Sequence, residues 1–143
     1  MSNPVSIYSG TFRATIYPEK LRTMTLAKLK KFFKLLDTLC GPENERARRV
    51  IRDTLSQQVE DAEKELRRAV QSRASETVEF LHEGQSIWNQ KAGFMVMLST
   101  EEIKKENKKR ATHNESLKSA VKKAEREFKR AQKIMCYFEQ IVH

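Results

Sequence analysis

The residues able to do chemistry are few in this sequence and stand far apart. The histidines are His82, His113 and His143, and the cysteines are Cys40 and Cys136. Glu79 and His82 lie three apart, a spacing that on a helix supplies one part of a carboxylate–imidazole metal site. Such a site needs a second Glu-x-x-His and further inward carboxylates, and the sequence has neither. The two residues therefore read as a surface pair, and no metal is expected. A nucleophile needs a base and a third group that orients the base. Cys136, between Met135 and Tyr137 at the edge of an apolar heptad, reads instead as a small buried core residue. The cysteines form no C-x-x-C pattern and are expected as free thiols. No G-x-x-x-x-G-K or G-x-G-x-x-G loop is present to cradle a phosphate. The expectation is a protein that is not an enzyme and holds no cofactor.

What the chain has in quantity is positive charge. In 143 residues it carries 28 Lys and Arg against 19 Asp and Glu, a formal charge of +9. Such an excess favours anionic partners. The charge is uneven: residues 41–83 hold 8 cations and 10 anions, whereas residues 100–143 hold 12 and 7. Two groups stand out. Lys104, Lys105, Lys108, Lys109 and Arg110 make a compact cluster. Lys118, Lys122, Arg126, Lys129, Arg130 and Lys133 share one side of a helical wheel, with Glu115 as the neighbouring acid. Like charges four residues apart on a helix cost a few tenths of a kcal/mol each. A face kept basic at that cost is a candidate binding surface, although a solvated face is the plainer reading. An acidic protein face is the first expected partner and duplex phosphates the second. Aromatic residues, at 8%, are too sparse for a stacking platform that binds single strands.

The elements that must position these groups are long helices. Hydrophobic residues make up 38% and charged residues 33%, with 4 glycines and 3 prolines, and the mean hydropathy is −0.69. That balance suits helices with one dry stripe each. The fold expected is all-α: an elongated helical bundle or coiled coil of two long antiparallel helices and a shorter N-terminal one. Residues 1–17 are expected as an extended arm or hairpin, because Val5–Tyr8 and Thr11–Tyr17 are β-branched and aromatic around Ser9-Gly10. A two-stranded hairpin would have to pack on the helices or on a partner. Residues 18–143 form the helical domain. Pro18 suits a first helical turn. Leu26, Leu29, Phe32, Phe33, Leu36, Leu39 and Cys40 then make a broad apolar face, rimmed by lysines, that ends at Gly41-Pro42. This basic amphipathic helix is the candidate for a membrane surface.

The second helix is expected from Gly41-Pro42 to about Glu83-Gly84, on the stripe Ile51, Leu55, Val59, Ala62, Leu66, Val70, Ala74, Val78 and Leu81. Residues 84–99 connect the long helices. The run Phe94–Leu98 within them reads as a short capping helix or, more sharply, as a partner-docking patch. Ser99, followed by Glu102 and Ile103, signals the start of the last helix. Its heptad seam is Leu117, Val121, Ala124, Phe128, Ala131, Met135, Phe138 and Val142. Traced backwards, that register meets Asn114, Arg110 and Asn107, a polar half held in solvent or by polar contacts. Three helices of uneven length leave apolar stripe uncovered, so a homo-oligomer, a dimer first, is expected to close it. No apolar run reaches the ~20 residues of a membrane span, which places the chain in the cytosol or a nucleus reached from it. The functional expectation is an interaction or assembly module. Duplex nucleic-acid binding comes second, and membrane-surface association third.

Overall fold

The computed structural model describes residues 4–9, 12–39 and 41–143. In chain order the elements are β1 (Val5–Ser9), β2 (Phe12–Ile16), a 3-10 helix (Pro18–Arg22), α1 (Leu26–Thr38), α2 (Pro42–Glu76), β3 (Ser86–Asn89), β4 (Phe94–Met97) and α3 (Thr100–Ile141). About 70% of the described residues are helical, but two small antiparallel sheets are present among them as well. The all-α expectation is therefore corrected: each of the two compact units includes a hairpin beside its share of the long helices. One unit comprises Met1–Leu66 with Ala124–His143, and the other Arg67–Lys123.

The first unit contains the apolar core. Pro18 opens a helix, as its fixed φ and missing N–H favour, but that helix is one 3-10 segment and stops at Arg22. Thr25 then caps α1, its hydroxyl accepting from the Lys28 amide at 3.3 Å. The single helix expected from Pro18 is thus two pieces. Leu29, Phe33 and Leu36 of α1 meet Ile51 and Leu55 of α2, Ile134 and Phe138 of α3, and Val142 just past the end of α3 in one cluster. The rings of Phe33 and Phe138 meet edge to face at 5.4 Å, a favoured aromatic geometry. Gly41, at φ 107, makes the left-handed turn that lets Pro42 begin α2. Arg48 reaches back from α2 to the Leu36 and Leu39 carbonyls, satisfying acceptors orphaned at the end of α1.

β1 and β2 pair from Val5 with Ile16 to Ser9 with Phe12. The hairpin expected within residues 1–17 is present and belongs to the first unit. Val5 and Ile7 are buried in the core cluster. Asn44, itself buried, fixes β1: its carbonyl accepts from the Tyr8 amide at 2.8 Å and its amide donates to the Tyr8 carbonyl at 2.8 Å. The predicted turn at Ser9-Gly10 and the Cys40 side chain lie outside the described residues.

In the second unit α2 ends at Glu76, seven or so residues before the Glu83-Gly84 boundary that periodicity indicates. Residues 77–83 are unwound, and α3 holds them. The Val78 amide donates to Asn114 Oδ1 at 3.0 Å while Asn114 Nδ2 donates to the Val78 carbonyl at 2.8 Å. Asn107 does the same for Leu81, at 2.7 and 3.0 Å. Arg110 donates to the Glu79 carbonyl at 2.7 Å, and His113 Nε2 lies 2.9 Å from the Glu76 carbonyl. The polar half of the α3 register is therefore a ladder that binds main chain. Ser99 starts α3 as its sequence signals, its hydroxyl accepting from the Glu102 amide at 3.2 Å and donating to the Glu102 carboxylate at 3.0 Å.

Candidate functional site

The connection between α2 and α3 is a β-hairpin, not the capping helix. Four residues join its strands. The Asn89 carbonyl accepts from Gly93 at 2.8 Å, and the Asn89 side chain accepts from the Lys91 and Ala92 amides at 3.0 Å each. Gly93, at φ 75, supplies the left-handed residue such a turn requires. Ile87 pairs with Val96, Trp88 with Met95 and Ser86 with Met97. Strand alternation then places Trp88, Met95 and Met97 on one face, and Ile87, Val96 and Phe94 on the other.

The second face is partly covered, since Ile87 and Val96 are half-buried. The first is open. Trp88 is 59% exposed, Met95 55% and Met97 68%, and Phe94 at the turn is 60% exposed. Trp88, Met95 and Met97 together leave on the order of a few hundred Å² of apolar surface in water on one face, the scale at which patches mark interaction sites. Phe80, in the unwound segment of the same unit, is 51% exposed as well.

Next to the hairpin in sequence comes the basic cluster. Lys104, Lys105, Lys108 and Lys109 are exposed along the first turns of α3, whereas Arg110 is half-buried and engaged within the chain. Its guanidinium serves the Glu79 carbonyl and pairs with Glu106 at 3.5 Å. Residues 67–123 carry 12 cations against 7 anions. The unit thus combines an open apolar face with excess positive charge.

The ridge predicted farther along α3 is divided between the units, with Lys118 and Lys122 in the second and Arg126, Lys129, Arg130 and Lys133 in the first. Arg130 is half-buried and donates to the Met24 carbonyl in the turn before α1, so part of its guanidinium is engaged within the chain. Lys133 lies 6.0 Å from the Tyr137 ring centroid, on which Lys30 of α1 sits closer, at 4.3 Å. Lys118, Lys122, Arg126, Lys129 and Lys133 stay exposed.

The seam residues are used within the chain. Val121, Ala124, Phe138 and Val142 are buried, Met135 packs against the core of the first unit, and Leu117, Phe128 and Ala131 are half-buried. Ile134, outside the heptad, is buried at 2% exposure, because this end of α3 presents a face wider than a coiled-coil seam. The apolar face of α1, the membrane candidate, also faces the core: Leu29, Phe33 and Leu36 are fully buried.

The reactive residues remain scattered. Cys136 is exposed, not a core residue, since Ile134 fills the buried position. Glu79 and His82 lie in the unwound segment, so their helical spacing brings them no common face. Among the described residues no three His, Cys, Asp or Glu gather where they could hold a metal ion, and no helix is long and apolar enough to cross a membrane. No family model, curated protein or solved structure matches the chain.

Proposed function

We propose that this protein is a non-enzymatic interaction or assembly module that docks an acidic protein face through the β3–β4 hairpin and the lysines that follow it. The observation that carries the reading is the exposure of Trp88, Met95 and Met97 on one face of a two-stranded sheet. An isolated hairpin of two strands is marginal in water and needs a covering surface. The positive charge of the second unit opposes a second copy of the same surface and favours a partner of opposite sign. The apolar face supplies affinity, and Lys104, Lys105, Lys108 and Lys109 supply attraction and orientation.

Trp88 is the one tryptophan of the chain, so its emission reports directly on docking. A photo-cross-linker at Gln90 identifies the partner in the native source. Titration with that purified partner should then shift Trp88 emission to shorter wavelength and weaken as salt rises. A Trp88→Ser, Met95→Ser, Met97→Ser variant that binds the same partner undiminished would refute the reading. Titration with duplex DNA and RNA tests the alternative, in which exposed lysines of α3 contact phosphates. That alternative predicts weak sequence dependence and a steep salt slope.

A further inference from the structure

No glycine or proline stops α2 at Glu76. The next glycine is Gly84 and no proline intervenes, while Val78 and Leu81 continue the apolar stripe of the helix. Residues 77–83 thus carry the period of a helix yet are not helical. Thr77, Val78 and Phe80 pull the other way, being β-branched or aromatic residues that are weak helix formers. Period and propensity disagree, and α3 decides between them.

The means is a match of spacings. Asn107 and Asn114 stand two turns apart on α3, a rise of about 10.5 Å. Leu81 and Val78 are three residues apart, and a nearly extended chain covers about 10 Å over that step. Each carboxamide therefore meets both main-chain groups of one residue, Val78 at one rung and Leu81 at the other. Arg110 and His113 take the Glu79 and Glu76 carbonyls between and beyond the rungs. The unwound form leaves apolar surface open: Val70 is 49% exposed, Val78 37% and Phe80 51%. Only Leu81 is buried.

We propose that residues 77–83 are a two-state strap, either unwound on the Asn107–Asn114 ladder or wound as two further turns of α2, with the ladder setting the balance. The wound form spans about 10 Å and an extended one about 23 Å. The strap therefore governs how much chain lies between α2 and the β3–β4 hairpin. Its control over docking rests on the reading of that hairpin as a docking surface; the two states themselves do not.

The test uses the full chain and no partner. Carbon-13 backbone chemical shifts of residues 77–83 should be non-helical in the wild type and helical in Asn107→Leu/Asn114→Leu, which keeps the bulk of the rungs and removes their hydrogen bonds. Thr77→Ala/Val78→Ala, which leaves α3 intact and raises helix propensity, should move the same shifts in the same direction. Adding Phe80→Pro should return them to non-helical values, since proline blocks the helix without removing an amide the ladder uses. Helical shifts in either folded variant, abolished by Phe80→Pro, support the strap. Non-helical shifts in both overturn it. If the leucine pair does not fold, the alanine pair decides alone. A result against the strap leaves the Trp88 titration unaffected, so the two readings fail separately.

Discussion

The two hairpins of this chain are built alike and finished differently. Each is a two-stranded antiparallel sheet. In β1–β2 the side chains of Val5 and Ile7 enter the core, and buried Asn44 fixes the strand at Tyr8. In β3–β4 no strand residue is buried, and Trp88, Phe94, Met95 and Met97 are more than half exposed. A hairpin gains stability from what covers it, not from its own few ladder bonds. The first is covered by its own chain. The second has its apolar face open.

The sharpest way to break that contrast is to truncate one aromatic side chain in each unit. Phe33→Ala removes a fully buried ring that meets Phe138 edge to face, and should cost about 3–5 kcal/mol. Trp88→Ala removes a larger ring that is 59% exposed, and should cost less than about 1 kcal/mol. Urea unfolding followed by circular dichroism measures both. Similar losses would mean that the second hairpin packs into a core no less than the first.

The asparagines give the next contrast. Asn44, Asn107 and Asn114 each pair with both main-chain groups of one residue. Asn44 is buried at 2% exposure, so Asn44→Ala leaves Tyr8 groups unsatisfied where water reaches poorly and should cost about 2–3 kcal/mol. Around Asn114 the bonds are exposed, and Asn114→Ala should cost about 1 kcal/mol or less because water replaces them. Hydrogen exchange at Tyr8 and Val78 reads each loss at its own site.

How much of this is legible in the sequence follows from the distance over which each feature is decided. The start of α3 is set within four residues, and Ser99 with Glu102 signals it. The Gly41-Pro42 boundary and the first hairpin are readable for the same reason. The second hairpin is misread although its signals are local. Asn89 and Gly93 bracket a turn, but Phe94–Leu98 is an unbroken apolar run, and such a run does not distinguish a strand from a short helix. The end of α2 is hidden because Asn107 and Asn114, 26 and 36 residues away, impose it. Among the site residues, charge counting finds the exposed lysines. It does not find the bond from Arg130 to the Met24 carbonyl, since 106 residues separate them.

Arg130 and Lys129 are neighbours on α3 with opposite fates, and they make the third contrast. Arg130→Ala removes a charge-assisted bond to the Met24 carbonyl and should lower stability by about 1–2 kcal/mol. Lys129→Ala, at an exposed position, should stay within about 0.5 kcal/mol. Equal effects on folding would restore Arg130 to the ridge as a surface cation.

The smallest effects on folding carry the most functional weight. Lys104, Lys105, Lys108 and Lys109 follow the open hairpin within the second unit, whereas Lys122, Lys129 and Lys133 lie farther along α3 and are divided between the units. Changing either set to glutamine should alter stability by no more than about 0.5 kcal/mol per site, since all are exposed. Binding should separate them. If the hairpin docks an acidic protein face, the first set, which follows the hairpin within the same unit, is expected to share the contact, with an attraction that salt screens beyond about 8–10 Å. Loss of that set should slow association and flatten its salt dependence, while loss of the second set should change little. If duplex phosphates are the ligand, each contacting lysine removed should reduce the logarithmic salt slope by roughly one unit. The second set, spread along the helix, should then matter at least as much as the first. Anisotropy titrations of both variants against the cross-linked protein partner, duplex DNA and duplex RNA distinguish these outcomes. Should neither set alter any titration, the basic surface of α3 is solvation alone, and the docking reading would rest on the Trp88 face without electrostatic help.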